Sequence, residues 1–236
     1  MQTKSRFLTR ASNGFELFET LLLVDGRYEL LDRHLARLAA SARHFGFASP
    51  QDPASVLAAH AAAHPQGRLR VRLLCAADGG LRIESAAAGE PDNSPRKVRL
   101  ASAPVSRAEP LLYHKTTRRG IYDAHLSQFA GSAFDVLLWN DAGELTEFTR
   151  GNLVLDIDGS LYTPPVSSGL LDGTLRRELV ERGELMERVL TCEDLGRAQA
   201  VWFINSVRGW IPVTVDDAPL DTAPAVVPAY ADPYAG

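Results

Sequence analysis

The stretch Leu137–Thr163 reads LLWNDAGELTEFTRGNLVLDIDGSLYT. Two apolar runs are each folded back on themselves, one at Ala142-Gly143 and one at Asp158-Gly159. Glycine takes the positive φ that tight hairpin turns require, and the flanking Leu, Val and Ile suit a half-buried pleated surface. The same pattern occurs earlier, as LLLVDGRYELL at Leu21–Leu31 and LLCAADGGLRIES at Leu73–Ser85. The spacing between copies is irregular, so these hairpins are architecture and not a tandem repeat.

Helical periodicity interrupts the strands. Leu35, Leu38, Ala39, Ala42 and Phe45 recur at helical spacing, which predicts a helix from Asp32 as cap to an exit at Gly46. His34 and Arg37 share a face of that helix, which the pattern directs away from the apolar stripe. An Ala-rich helix is expected over 52–64, a third over 117–130, a fourth opening at Gly173, and a short one entered through TCEDL near Glu193. Hairpins mixed irregularly with helices favour an α+β class over a doubly wound parallel sheet. Gly89, Pro91, Pro95, Pro104 and Pro110 punctuate the middle of the chain around one short strand, KVRLASAPV. The expected organisation is a small N-terminal α+β domain over 1–103, a linker over 104–112, a larger domain over 113–216, and an Ala/Pro-rich tail over 217–236.

A chain of 236 residues, 45% hydrophobic and 23% charged, has ordinary globular composition, which excludes collagen-like, coiled-coil and wholly disordered classes. Its net charge is −4 with no dense basic stripe, so nucleic acid is not an expected partner. Cys75 and Cys192 lie far apart, without a CxxC or His/Cys cluster, so neither a disulfide framework nor a metal site is expected. The opening residues MQTKSRFLTRASNG lack a signal-peptide core, and no segment approaches the roughly 20 apolar residues that span a bilayer. The expectation is a soluble, cytoplasmic protein that engages no membrane.

Several residues could carry chemistry, each beside a plainer reading. Lys115, in LLYHKTTRRGIYDAHL, could be a Schiff-base amine activated by neighbouring cations, or part of a basic surface turn. Glu147 ends the strand after the Ala142-Gly143 hairpin; it could pair with a protonated cofactor nitrogen, or face solvent. Gly173 and Thr174 stand at a helix start whose free N–H groups suit a phosphate, although glycine before a helix is also ordinary punctuation. Arg37 could hold a phosphate in its planar fork, or be a solvated helix residue. NSVRGWIPV joins Asn205 and Ser206 to a strand leaving into a turn, and no zincin, hydrolase or EF-hand motif is present.

The order of these signals resembles the class IV, or fold-type IV, pyridoxal-phosphate enzymes. HLARL at His34–Leu38, HKTTRR at His114–Arg119, LTEFTRGNLV at Leu145–Val154, YTPP at Tyr162–Pro165, GLLDGTLRR at Gly169–Arg177 and NSVRGWIPV at Asn205–Val213 follow that family's sequence of motifs. FELFETLLLVDG at Phe15–Gly26, with HKTTRR and NSVRG, is most similar to members that cleave 4-amino-4-deoxychorismate into p-aminobenzoate and pyruvate, a step of folate synthesis. The neighbouring alternative is an aminotransferase acting on branched-chain or D-amino acids; a catalytically silent binding module is a third.

The resemblance implies a two-domain fold-type IV architecture and pyridoxal 5'-phosphate as cofactor. It makes Lys115 the Schiff-base and proton-shuttling lysine, and sets Glu147 against the pyridine nitrogen. Arg37, Gly173, Thr174 and Ser206 become the phosphate ligands. The chain has Thr174-Leu175 where many relatives have Ile-Thr, which leaves the side-chain phosphate contact open. Thr20 becomes a catalytic candidate, Arg72 and Asn205 substrate-side candidates for a carboxylate-bearing small molecule, and Tyr122 a possible flank of the cofactor at an offset unlike the aminotransferases. Resemblance also implies a homodimer and a functional link to aminodeoxychorismate synthase.

Overall fold

The computed structural model describes residues 14–129 and 131–216, so the expectation for the tail over 217–236 lies outside the described residues. All four hairpins read from the sequence form. β1 (Leu17–Val24) turns into β2 (Arg27–Tyr28) through Asp25 and Gly26, at φ 46° and 76°. β8 (Gly151–Ile157) turns into β9 (Ser160–Thr163) through Asp158 and Gly159, at φ 54° and 77°. These left-handed pairs match the right-handed twist of the flanking strands, and aspartate tolerates the first position. β3 (Arg68–Cys75) pairs with β4 (Leu81–Ala87), and β6 (Asp135–Trp139) with β7 (Leu145–Phe148), each across a longer loop.

The described residues divide into two units. The first takes 14–90 with 114–118, and the second takes 91–113 with 119–216. This differs from the expected division at 103/104, because β5 (Arg96–Leu100) pairs in parallel with β12 (Gly209–Asp216) and with β6. The Pro-rich passage therefore feeds a strand of the second sheet. Residues 114–118, expected in the larger domain, cluster with the first unit instead, because they pair with the edge of β1.

In the first unit the antiparallel sheet runs β2-β1-β3-β4. α1 (Leu31–Phe45) packs on β1, and α2 (Pro53–Ala63) is capped by Asp52, whose side chain accepts from Ser55 N–H. α1 ends at Gly46 as expected (φ 70°), but its cap is Leu30 in the left-handed region, with Asp32 inside the first turn. Its buried face is His34, Leu38, Ser41, Ala42 and Phe45. His34 thus points inward and Ala39 outward, a correction to the stripe drawn from apolar spacing alone.

The second unit carries an eight-stranded mixed sheet ordered β10-β9-β8-β11-β12-β5-β6-β7, where β10 is Met186–Glu187 and β11 is Ala200–Asn205. β7 also pairs with β8, so six of these strands close into a barrel. Val98, Leu137, Phe148, Leu153, Leu155, Phe203 and Ile211 are buried together as its core, each large side chain contributing roughly 1.5–3 kcal/mol. α3 (Gly120–Ser127, shorter than the expected 117–130), α4 (Thr174–Glu181) and α5 (Cys192–Arg197) complete the unit. α5 opens on a capping box between Thr191 and Asp194.

Gly151 fixes the tightest corner of the barrel. A Cβ there would lie 2.5 Å from the Phe203 ring and 2.8 Å from the Ile204 carbonyl oxygen. Phe203 is fully buried and cannot swing into solvent. Gly151→Ala is expected to destabilise the chain by about 1–3 kcal/mol, read as a lower urea midpoint at unchanged slope. An unmoved midpoint would show that the corner has slack.

Candidate active site

In the first unit, Lys115 is positioned by backbone pairing. β2 covers only Leu23 and Val24, which leaves the start of β1 open at that edge. Residues 115–117 fill it: Phe18 N–H donates to the Lys115 carbonyl (3.0 Å), Thr117 N–H donates to the Glu16 carbonyl (2.8 Å), and Glu16 N–H donates to Thr117 Oγ1 (2.9 Å). Lys115 stands opposite Phe18, with Nζ 4.6 Å from the ring centroid. Arg72 rests against the same ring, its guanidinium carbon 4.8 Å from the centroid, and bonds Glu84 at 3.0 Å. Thr20 pairs with Arg72 across the strands, and strand alternation puts it on the Phe18 face. The structure therefore brings Lys115, Thr20 and Arg72 onto one face of one sheet.

His114, beside that lysine, is locked into the helix. Its ring stacks 4.1 Å from His44 and 4.9 Å from Phe45, and its Nδ1 lies 3.0 Å from Ser41 Oγ. Burial, with the His44 charge second, pushes its imidazole down to about 4. A neutral ring can stay packed there, so the segment carrying Lys115 is anchored on both sides of its backbone.

The opposite face of β1 holds a group that sequence reading missed. Glu19 is 1% exposed, takes Arg37 Nε at 2.8 Å and Nη2 at 2.6 Å, and accepts from His34 Nδ1 at 2.7 Å. Burial alone would raise the carboxyl pKa; the Arg37 charge and its bonds, and then His34, outweigh it and hold it at about 2. Arg37 is thus no solvated helix residue. Its fork is oriented by Glu19, and the legible signal was a glutamate at an inward position of FELFETLL paired with HxxR on the next helix.

In the second unit, Glu147 is 4% exposed within the wholly buried β7, which rules out its solvent-facing reading. Tyr122 of α3 donates its hydroxyl to Glu147 Oε1 at 2.9 Å. Asn152, the cross-strand partner of Glu147, places Nδ2 3.5 Å from Oε2 and donates to the Leu171 carbonyl at 2.9 Å. The turn after Glu147 is clamped by the buried Asp135, which accepts from Thr149 N–H (3.0 Å) and Thr149 Oγ1 (2.6 Å) and pairs with Arg150 (3.1 Å). Neither Asn152 nor Asp135 was singled out from sequence, because their roles depend on strand register.

Asn152 also explains Gly173, where a Cβ would fall 1.9 Å from Asn152 Oδ1. Gly173 caps α4 without any side-chain cap bond, and Thr174, the first helical residue, is 4% exposed. The positive end of α4 therefore carries no side-chain cap, an arrangement that suits an anion. Arg176 braces this start, donating to the Pro164 carbonyl (2.7 Å) and pairing with Asp172 (3.2 Å). Asn205, a substrate-side candidate, is instead committed to its hairpin: Oδ1 accepts from Val207 and Arg208 N–H, and Nδ2 donates to the Arg150 carbonyl. Ser206 follows it in the same turn, between β11 and β12.

A lysine on a pinned strand edge, a buried carboxylate taking a phenol, and an uncapped helix start behind a glycine coincide with a match of residues 16–215 to the family described as Amino-transferase class IV. The chain belongs to that family. Among class IV relatives it is 32% identical to a Schizosaccharomyces pombe protein named "Putative aminodeoxychorismate lyase", over 81% of this chain and 86% of that one. It is 28% identical to the "Bifunctional aminodeoxychorismate lyase / D-amino acid transaminase" of Mycobacterium tuberculosis, over 84% and 80%. A solved class IV fold from Mesorhizobium loti, a "Putative amino-acid aminotransferase", superposes with TM-score 0.80 at 37% identity, covering 86% of this chain and all of that one. The mixed helices and hairpin-rich sheets are those of fold-type IV. No helix among the described residues is long and apolar enough to cross a membrane.

Proposed function

We propose that this chain is a pyridoxal-phosphate-dependent aminodeoxychorismate lyase, releasing p-aminobenzoate and pyruvate from 4-amino-4-deoxychorismate. The similarity to the fission-yeast lyase, which spans most of both chains, carries the choice of reaction within the family. The residues present suit the cofactor: an amine held on a strand edge, a buried carboxylate for a ring nitrogen, and an uncapped helix start for a phosphate. Gly173 and Thr174, with Ser206, would hold that phosphate, and Arg37, its fork set by Glu19, remains the first unit's own anion-binding candidate. When bound, pyridoxal phosphate supplies an electron sink for the carbon that loses its proton.

Lys115 would hold the cofactor through its amine, and that amine would take the substrate's C4 proton and return one to the departing enolpyruvyl group. Glu147 keeps an anionic acceptor at the ring nitrogen. Arg72 offers a guanidinium to a substrate carboxylate, and Thr20, across the strands, orders the same face. Gain of aromaticity in p-aminobenzoate makes the release one-way. The cytoplasm, a homodimeric state and a functional link to aminodeoxychorismate synthase belong to the same proposal.

An aminotransferase uses the same lysine, carboxylate and phosphate anchors, and the two names carried by the mycobacterial relative favour keeping it as the second reading. Purified chain given pyridoxal phosphate and freshly generated 4-amino-4-deoxychorismate, with no keto acid, is expected to form p-aminobenzoate and pyruvate in equal amounts. Turnover that begins only when a keto acid is added would replace the lyase with the aminotransferase.

A further inference from the structure

We infer that Tyr122 is the residue that positions Glu147, its hydroxyl fixing the carboxylate's orientation and thereby setting how strongly the chain holds a protonated pyridine ring. This deepens the reading above and rests on it. Tyr122 is 7% exposed, with its ring packed among Ala101, Val105, Leu112, Val136 and Leu138. A phenol so enclosed has no room to turn away, so its O–H stays directed at Glu147 Oε1, 2.9 Å distant. On the other oxygen, Asn152 Nδ2 approaches at 3.5 Å, and its shorter bond goes to Leu171. One oxygen therefore takes a neutral donor of fixed direction, which sets the plane in which the carboxylate meets a ring N–H.

The surroundings keep Tyr122 a donor. Burial, then the Glu147 charge, raise the phenol well above its ordinary range, with Glu109 adding and Arg119 opposing. Arg119 lies over the Tyr122 ring at 4.6 Å and donates to the Thr149 carbonyl, so this cation is shared with the backbone just after Glu147. Tyr122 touches the machinery through Glu147, which makes it a positioning residue.

The test is a double-mutant cycle of Tyr122→Phe and Glu147→Gln, each change close to isosteric. In the cofactor-free chain, urea unfolding is expected to show coupling of about tenfold in the folding constant, since the buried pair is intact only in the wild type. With pyridoxal phosphate, Tyr122→Phe is expected to weaken binding about tenfold and to move the pH midpoint of the bound chromophore, and both effects are expected to vanish in the Glu147→Gln background. Equal effects of Tyr122→Phe in both backgrounds would overturn the inference, as would an unmoved midpoint. A wild-type chain that takes up no pyridoxal phosphate would instead remove the functional reading, and this inference with it.

Discussion

Lys115→Ala is expected to reduce p-aminobenzoate formation by on the order of 10^4-fold or more while leaving the fold intact. The separation follows from how Lys115 is held. Its structural duty is performed by its backbone carbonyl, which accepts from Phe18 N–H, while Thr116 bridges Leu17 and Thr117 bonds Glu16. None of these bonds uses the lysine side chain. Alanine removes the side chain that rests 4.6 Å over the Phe18 ring, a contact worth about 0.5–1 kcal/mol at a partly exposed site. The variant should therefore keep the parent's cooperative unfolding and yet show no visible-range chromophore with pyridoxal phosphate. Its residual turnover should not respond to cofactor concentration. Retained turnover in a well-folded Lys115→Ala chain would sink the assignment of the nucleophilic amine.

Local turn chemistry was legible because each hairpin carries its own signal. Asp25-Gly26 and Asp158-Gly159 have backbone angles that few other dipeptides accept, so the turns could be read without knowing what packs on them. Helix α2 and the capping box of α5 were equally local. The division of the chain was not, since β5 is placed by parallel pairing with β12, more than a hundred residues downstream. Apolar spacing put Ala39 in the core and His34 outside; the reverse holds because Glu19 gives the imidazole a buried anionic partner, which periodicity cannot weigh. The motif lysine, glutamate and glycine were visible as residue types. Two of their supports, Asn152 and Asp135, became visible only with the register that brings Asn152 opposite Glu147 and Asp135 beneath Thr149, and Tyr122, named beforehand as a flank of the cofactor, proved to be a partner of Glu147.

Glu19→Gln is expected to destabilise the chain by about 3 kcal/mol near neutral pH, because it removes the charge from a buried ion pair and leaves its partners behind. The amide keeps the volume of the carboxylate, so the surrounding packing is preserved and the loss reports electrostatics. His34 is fully buried and only 14% of the Arg37 side chain is exposed, so the charge is removed from a site largely shielded from water. The pH dependence carries a signature of its own. The folded carboxyl titrates near 2, below its ordinary 4.5, so the unfolded chain takes up the proton first as the solution is acidified. Its contribution is therefore fully present above about 4.5 and is lost as pH falls toward 2. His114 acts in a higher window: its imidazole stays neutral in the fold down to about 4 against an ordinary 6.5, so stability is lost between those values. Urea midpoints measured from pH 7 to pH 2.5 should thus fall in two stages in the parent chain. In Glu19→Gln the upper stage should remain and the lower one flatten, and a lower stage that persists unchanged would show that Glu19 is not the group holding α1 to β1.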